Sequence, residues 1–232
     1  ILNKFIEFYK QDKYQELAVK DGFNALEDYK CEIENLDGNT ILQAQKLWKE
    51  NKNGDKPIVA VFVADVSGSM EGEPLNELKK SLLNGSRYIG EENSIGLVTY
   101  SNDVNINLPI EKFDLNQRSL FTGAVQDMDA SGGTATFDAI AVAVQMLLDE
   151  KEKNPDAKLM LFVLSDGETN IGHSLDDLRE ILESVKIPVH TIGYNANIEA
   201  LENISRINEA TSINADSDDV IYKLGSLFNA EM

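Results

Sequence analysis

Several residue types are scarce in this chain of 232 residues. Cysteine occurs once, at Cys31, which excludes an intrachain disulfide and a cysteine-based zinc cluster. Histidine occurs twice, at His173 and His190. Basic side chains are few: 21 Lys and Arg stand against 40 Asp and Glu, a formal net charge of −19. A chain this acidic repels phosphate backbones and anionic lipid, which excludes nucleic acid as a natural partner. No apolar run approaches the ~20 residues that span a bilayer, so no direct membrane insertion is expected of this stretch. A signal-peptide pattern is missing and Ile1 stands first, so the chain reads as part of something longer. What remains is ordinary for a globular protein: 42% hydrophobic residues and 15 Gly, which excludes wholesale disorder and collagen.

The charge is unevenly spread. Residues 1–56 carry 11 acidic and 9 basic side chains, whereas 57–232 carry 29 and 12. A boundary near 49–57 fits this shift and the Asn53-Gly54 and Pro57 punctuation there. Residues 1–56 read as an N-terminal helical segment. Leu2, Phe5, Ile6 and Tyr9 keep the spacing of one helix face. Asp12 can cap a second helix that Gly22 stops. Thr40 can cap a third, with Leu42, Leu47 and Trp48 inward.

From Pro57 onward strands alternate with helices. Residues 58–65 and 158–165 are continuous apolar runs, as expected of parallel strands buried on both faces. Further strands are expected at 94–101, 104–108, 188–194 and near 212–214. Asn102-Asp103 marks a hairpin between the second and third. Helices are expected from Pro74 to Ile89, from Asp114 to about Val125 and over 137–150. Others are expected at 174–185, 199–210 and about 217–228. The alternation predicts an α/β fold, a doubly wound and mostly parallel sheet flanked by helices.

In such sheets ligands bind beyond the carboxyl ends of the strands. Three loops matter there: DVSGSM at 65–70, SGGTAT at 131–136 and SDGETN at 165–170. They supply hard oxygen. Asp65, Ser67 and Ser69 alternate along one turn, Thr134 follows two glycines, and Asp166 ends a buried strand. Two carboxylates and three hydroxyls without Cys or His suit Mg²⁺ or Mn²⁺ and suit zinc poorly.

With these residues in that order, residues 57–232 resemble the von Willebrand factor type A domain, the family that includes integrin I domains. Its metal-ion-dependent adhesion site reads D-x-S-x-S, then a distant Thr, then a distant Asp. Here those are Asp65, Ser67, Ser69, Thr134 and Asp166. The resemblance implies the strand order 3-2-1-4-5-6 with one antiparallel edge strand, which sets Asp65 opposite Asp166 at the switch point. It implies serines that touch the metal directly and carboxylates that act largely through bound water. The metal is thereby left to seek an Asp or Glu carboxylate of a partner protein. Thr134 would tighten on the metal when that partner arrives, and Gly68, Gly132 and Gly133 would permit the turns. The expected function is therefore a non-catalytic, metal-dependent protein-interaction or adhesion module.

Two other functions stand beside this one: an interaction subunit of an intracellular AAA+ ATPase or chelatase-type assembly, and a metal-dependent hydrolase. A site that has lost its metal is a further alternative. The hydrolase reading needs a general base, and neither histidine has an evident route to the cluster. His190 reads as a satisfied core histidine and His173 as a loop residue. Thr136 reads as the cap of the following helix, and Glu71 and Glu73 as a solvated helix start. GHSLD at 172–176 falls short of a nucleophile elbow, and Ser174 with Asp177 reads as a helix cap.

Residues 5–24 also resemble, loosely, the ending of bacterial extracellular solute-binding domains, through Phe5, Phe8, Gln15, Ala18, Gly22 and Phe23. That implies a bacterial protein displayed extracellularly or at the cell surface, with a ligand-binding domain upstream. Cytoplasm is the alternative location. Trp48 is expected to anchor this segment to the sheet domain on the side away from the metal.

Overall fold

The computed structural model describes residues 4, 7–8, 10–20, 37–51, 56–167, 169–194, 199–215 and 220–231. The chain divides into two compact units, Ile1–Gly54 and Asp55–Met232.

The first unit contains helices α1 (Asp12–Lys20) and α2 (Gly38–Asn51). The expected face of Leu2, Phe5, Ile6 and Tyr9, the stops at Gly22 and Gly54, and Cys31 all lie outside the described residues. The cap of α2 is not Thr40. Asp37 accepts from the Asn39 and Thr40 amides at 2.9 and 3.0 Å and from the Thr40 hydroxyl at 2.6 Å. A carboxylate one turn earlier reaches the free amides at the helix start, so Thr40 becomes its donor. These hydrogen bonds, led by the Thr40 hydroxyl, hold the Asp37 carboxyl below its ordinary value. Leu42, Leu47 and Trp48 do not point into a core; they are 64%, 63% and 56% exposed. Helical spacing identifies a face, but burial needs apolar surface to cover it. None of the described residues of this unit is buried.

The second unit is built on strands β1 (Ile58–Asp65), β2 (Ser94–Tyr100), β3 (Val104–Lys112), β4 (Lys158–Ser165), β5 (Val189–Tyr194) and β6 (Ser212–Ala215). Their order is β3-β2-β1-β4-β5-β6. All pairs are parallel except β2–β3. The edge strand β3 runs past its expected end at 108 to Lys112, and Pro109 is tolerated there because an edge strand has one unpaired side. The order reverses between β1 and β4, so the ends of these two strands form the switch point.

Alternation along β1 explains the layers. Ile58, Ala60, Phe62 and Ala64 join one apolar cluster, and Val59, Val61 and Val63 join the other. The first face carries α3 (Glu73–Gly85), α4 (Leu115–Gln126) and α8 (Val220–Glu231). Its centre is aromatic: Phe62 lies 5.2 Å from Phe162 and 5.0 Å from Phe228, ring centre to ring centre. The second face carries α5 (Thr136–Lys153), α6 (Leu175–Val185) and α7 (Glu199–Ile207). Helix α3 stops at Gly85, short of Ile89, and a 3-10 turn over Ser86–Tyr88 follows. Gly85 packs on the Phe228 ring, where a Cβ would come within 2.7 Å, so α8 is seated directly on this end of α3. Helix α7 likewise stops at Ile207, before a turn in which Glu209 takes a left-handed backbone. Ser174 and Asp177 cap α6 as their spacing suggests, the Ser174 amide and hydroxyl both donating to Asp177 at 2.8 and 2.7 Å.

Candidate metal centre

Asp65 is the last residue of β1 and is wholly buried. Register sets it beside Tyr100, and the β1–β4 pairing carries Ser165 to its other flank. Its two oxygens are held differently. Oδ1 accepts from the Ser67 amide at 2.9 Å. Oδ2 accepts from the Ser165 hydroxyl at 2.6 Å and from the Tyr100 hydroxyl at 3.3 Å.

The loop after β1 turns through a 3-10 segment, Gly68–Met70, anchored by fully buried Met70. This turn brings the Ser67 and Ser69 hydroxyls to 3.0 Å of each other. Ser67 is buried and Ser69 exposed, so the pair runs from the floor of the site to solvent. The Gly68 amide donates to Gly132 O at 2.9 Å, and the Ser131 amide to Val66 O at 2.9 Å. Gly132 sits at φ 81°, where a Cβ would be strained and would also meet the Asn102 amide group at 2.9 Å.

Thr134 is buried and held from both sides. Its amide donates to Asn170 Oδ1 at 2.9 Å, and its carbonyl accepts from the Asn170 amide at 3.1 Å. Asn102 Oδ1 accepts from the Gly133 amide at 2.7 Å. Asp166 directly follows β4 and is partly buried. The three loops are thus tied to one another at the switch point. Ser165, Tyr100, Asn102 and Asn170 support the site without belonging to the D-x-S-x-S, Thr and Asp pattern. Ser165 and Tyr100 are readable in hindsight as the residues in register with Asp65; the two asparagines carry no such signal.

Electrostatics favour a cation here. Burial pushes the Asp65 carboxyl above its ordinary value; the hydrogen bonds from Ser165 and Ser67 oppose this, and the charge of Asp166 adds to it. Among the described residues no Lys, Arg or His hydrogen-bonds or ion-pairs with Asp65. A buried carboxylate without a cation is costly. The donor set at hand is oxygen throughout, the chemistry of Mg²⁺ or Mn²⁺ rather than zinc. These residues fit a hard divalent cation.

Other candidates take different places. Thr136 is not the cap of α5. It is the first residue of the helix after Ala135, and its side chain is buried. Glu71 and Glu73 are exposed at the start of α3. His173 pairs with Asp138 of the first turn of α5, and that contact raises the pKa of the imidazole. His190 is buried but only half satisfied. Its Nδ1 accepts from the Thr211 amide at 3.2 Å, whereas its Nε2 has no partner among the described residues.

An open, mostly parallel six-stranded sheet with helices on both faces defines a Rossmann-like α/β fold. The profile of the von Willebrand factor type A domain matches residues 60–229, and the chain belongs to that family, one of adhesion and protein-interaction modules. Bovine inter-alpha-trypsin inhibitor heavy chain H3 is 30% identical over 179 residues, 70% of this chain and 20% of that protein. Escherichia coli YfbK is 28% identical over 203 residues, 83% of this chain and 34% of that protein. The chain therefore spans between a fifth and about a third of the length of these relatives. Among solved structures, a von Willebrand factor type A protein from Catenulispora acidiphila superposes with a TM-score of 0.67 at 18% identity, covering 75% of this chain and 42% of that one. The pilus adhesin SpaC of Lactobacillus rhamnosus GG gives 0.63 at 18%, covering 76% and 30%.

Proposed function

We propose that residues 57–232 form a divalent-metal-dependent protein-interaction module. Asp65, Ser67, Ser69, Thr134 and Asp166 would hold Mg²⁺ or Mn²⁺. The bound ion would supply a Lewis-acidic position for an Asp or Glu carboxylate of a partner protein. The observation that carries this reading is the convergence of the Ser67 and Ser69 hydroxyls, 3.0 Å apart, beside a buried Asp65 that no Lys, Arg or His among the described residues pairs with.

The chain's own residues define how such a site works. Ser165 and Tyr100 fix the inner oxygen of Asp65, so the carboxylate cannot swing away. The Gly132–Gly133 turn and Asn170 hold Thr134 at the site's edge. Ser69 stays exposed, leaving one side open to a partner. Acidic residues around the site oppose an incoming carboxylate, so the partner that fits carries basic groups beside its acidic one. Display on a bacterial surface is part of this proposal, supported by the pilus adhesin among the proteins of similar fold.

The test is thermal unfolding and titration calorimetry with Mg²⁺ and Mn²⁺. Only the folded chain assembles the five groups, so either ion should raise Tm by mass action, and Asp65→Ala should remove the shift. No binding at millimolar metal would overturn the reading. Partner binding that survives EDTA and Thr134→Ala would move the contact surface elsewhere. Ester or phosphate turnover abolished by Asp166→Ala would favour a hydrolase.

A further inference from the structure

The two ends of the sheet domain differ in charge. The loops at the carboxyl ends of the strands, 66–72, 101–103, 127–135 and 166–174, contain no Lys or Arg. They do contain Glu71, Asp103, Asp127, Asp129, Asp166 and Glu168. At the opposite end, where β1, β4 and β5 begin, lies an open cleft of about 410 Å³. Lys56, Lys151, Lys158 and Lys186 surround it, with Asp156 the acid among them. Much of the rest of its lining is apolar, Met160, Ile187 and Pro188 included. Residues 57–232 have only 12 basic side chains, and a quarter of them border this one cleft.

Lys186 is placed there at a conformational cost. It caps α6 in the left-handed region, φ 53° and ψ 31°, where glycine is the usual residue. The turn is braced on both sides of Lys186, because Asn208 Nδ2 donates to Leu182 O and to Ile187 O, each at 2.9 Å. The helix dipole favours a cation at this end, but that explains one lysine, not four around one cleft. Lys151 is committed to the loop through a 2.7 Å hydrogen bond to Ala157 O. Among the described residues, Lys56 and Lys186 have no ion-pair partner.

We propose that this cleft binds a small organic anion, its carboxylate or phosphate met by Lys56 and Lys186 and its apolar body resting on Met160, Ile187 and Pro188. The volume suits a compact ligand, since small-molecule sites begin near 300 Å³. The site is separate from the proposed metal centre, and its test is run on metal-free protein, so either proposal can fail alone.

The experiment titrates the isotope-labelled chain in EDTA with phenyl phosphate and follows the amides of residues 156–160 and 185–188. Saturable shifts are expected there, weakening with added salt. Lys56→Gln and Lys186→Gly should each reduce affinity about three- to fivefold. Lys186→Gly should leave Tm unchanged or raised, because glycine relieves the left-handed strain, and this separates loss of the ammonium from loss of the fold. Inorganic phosphate and benzyl alcohol should each bind more weakly than the probe that combines them. Absence of saturable shifts would overturn the proposal, as would undiminished binding in both variants. Phosphate binding as tightly as phenyl phosphate would remove the apolar lining from the site, and equally tight benzyl alcohol would remove the lysines.

Discussion

The Ser165 hydroxyl donates to Asp65 Oδ2 at 2.6 Å across the switch point, joining the carboxyl ends of β4 and β1. The Gly167 amide donates to the same Ser165 oxygen at 3.0 Å, so the hydroxyl is oriented by the turn that positions Asp166. Replacing Ser165 with Ala leaves Asp65 Oδ2 buried with only the longer Tyr100 contact. An under-satisfied buried acceptor costs about 1–3 kcal/mol. Ser165→Ala should lower the unfolding free energy of the metal-free chain by that amount. It should also weaken Mg²⁺ binding without abolishing it. Denaturant unfolding together with calorimetry would check this, and a variant matching the parent in both would show that Ser165 does not position Asp65.

The buried charge of Asp65 gives a second prediction, with a sign. Its folded pKa is raised, chiefly by burial. The folded chain therefore holds the proton more tightly than the unfolded chain does. The contribution of Asp65 to stability is fully present below the unfolded carboxylate value and is lost as pH rises through the raised folded value. At neutral pH the ionised carboxylate weighs against the metal-free fold. In EDTA, Asp65→Asn should unfold at higher temperature than the parent near neutral pH, and the gap should close on acidification toward about pH 4. Added Mg²⁺ should raise the parent and leave the variant unmoved. A variant less stable than the parent at neutral pH in EDTA would contradict the electrostatic account.

Glycine at position 132 is a matter of backbone rather than of space alone. At φ 81° an L side chain is strained, and the Asn102 amide group occupies the space a Cβ would need. Gly132→Ala should destabilise the domain by about 1–2 kcal/mol. It should also displace Asn102 from its bond to the Gly133 amide, and so loosen Thr134. The amide signals of 133 and 134 should shift in the metal-free spectrum, an effect absent from a substitution with no backbone consequence.

Local patterns made the sheet legible in the sequence. Residues 58–65 and 158–165 are apolar without interruption because helices cover both faces, and such runs declare buried parallel strands directly. Strand order came from the resemblance, not from any pattern along the chain. Asp65, Ser67, Ser69, Thr134 and Asp166 are nameable because they follow the order of the family's motif, in the loops after β1, before α5 and after β4. Their supports were not. Asn102 and Asn170 look like ordinary loop residues until folding sets them against the Gly133 and Thr134 amides. Likewise nothing local distinguishes Asp37 from Thr40 as the cap of α2, since both are good capping types and only geometry chooses. The outward placement of Leu42, Leu47 and Trp48 reflects what surrounds the helix, which periodicity does not encode.

His190 allows the last prediction because its environment is asymmetric. The ring stacks on Phe162 at 5.1 Å, and Nδ1 accepts from the Thr211 amide. The neutral tautomer therefore carries its proton on Nε2, which has no partner among the described residues. Burial lowers the pKa of this histidine, and the charge of Glu231 opposes the shift. The unfolded chain thus takes up a proton near the ordinary histidine value while the folded chain resists it. The stability His190 contributes is fully present above that value and is lost as pH falls from it toward the lowered folded value. His190→Asn keeps an acceptor for the Thr211 amide and removes the titration. The variant should be less stable than the parent at about pH 7.5, because the smaller side chain vacates space beside Phe162. Its deficit should shrink as pH falls to about 5, where the parent alone loses stability through this group. Urea unfolding of both chains at several pH values measures this directly. A deficit that stays constant across the range would show that His190 titrates alike in the folded and unfolded chain, and that its burial in β5 carries no electrostatic cost.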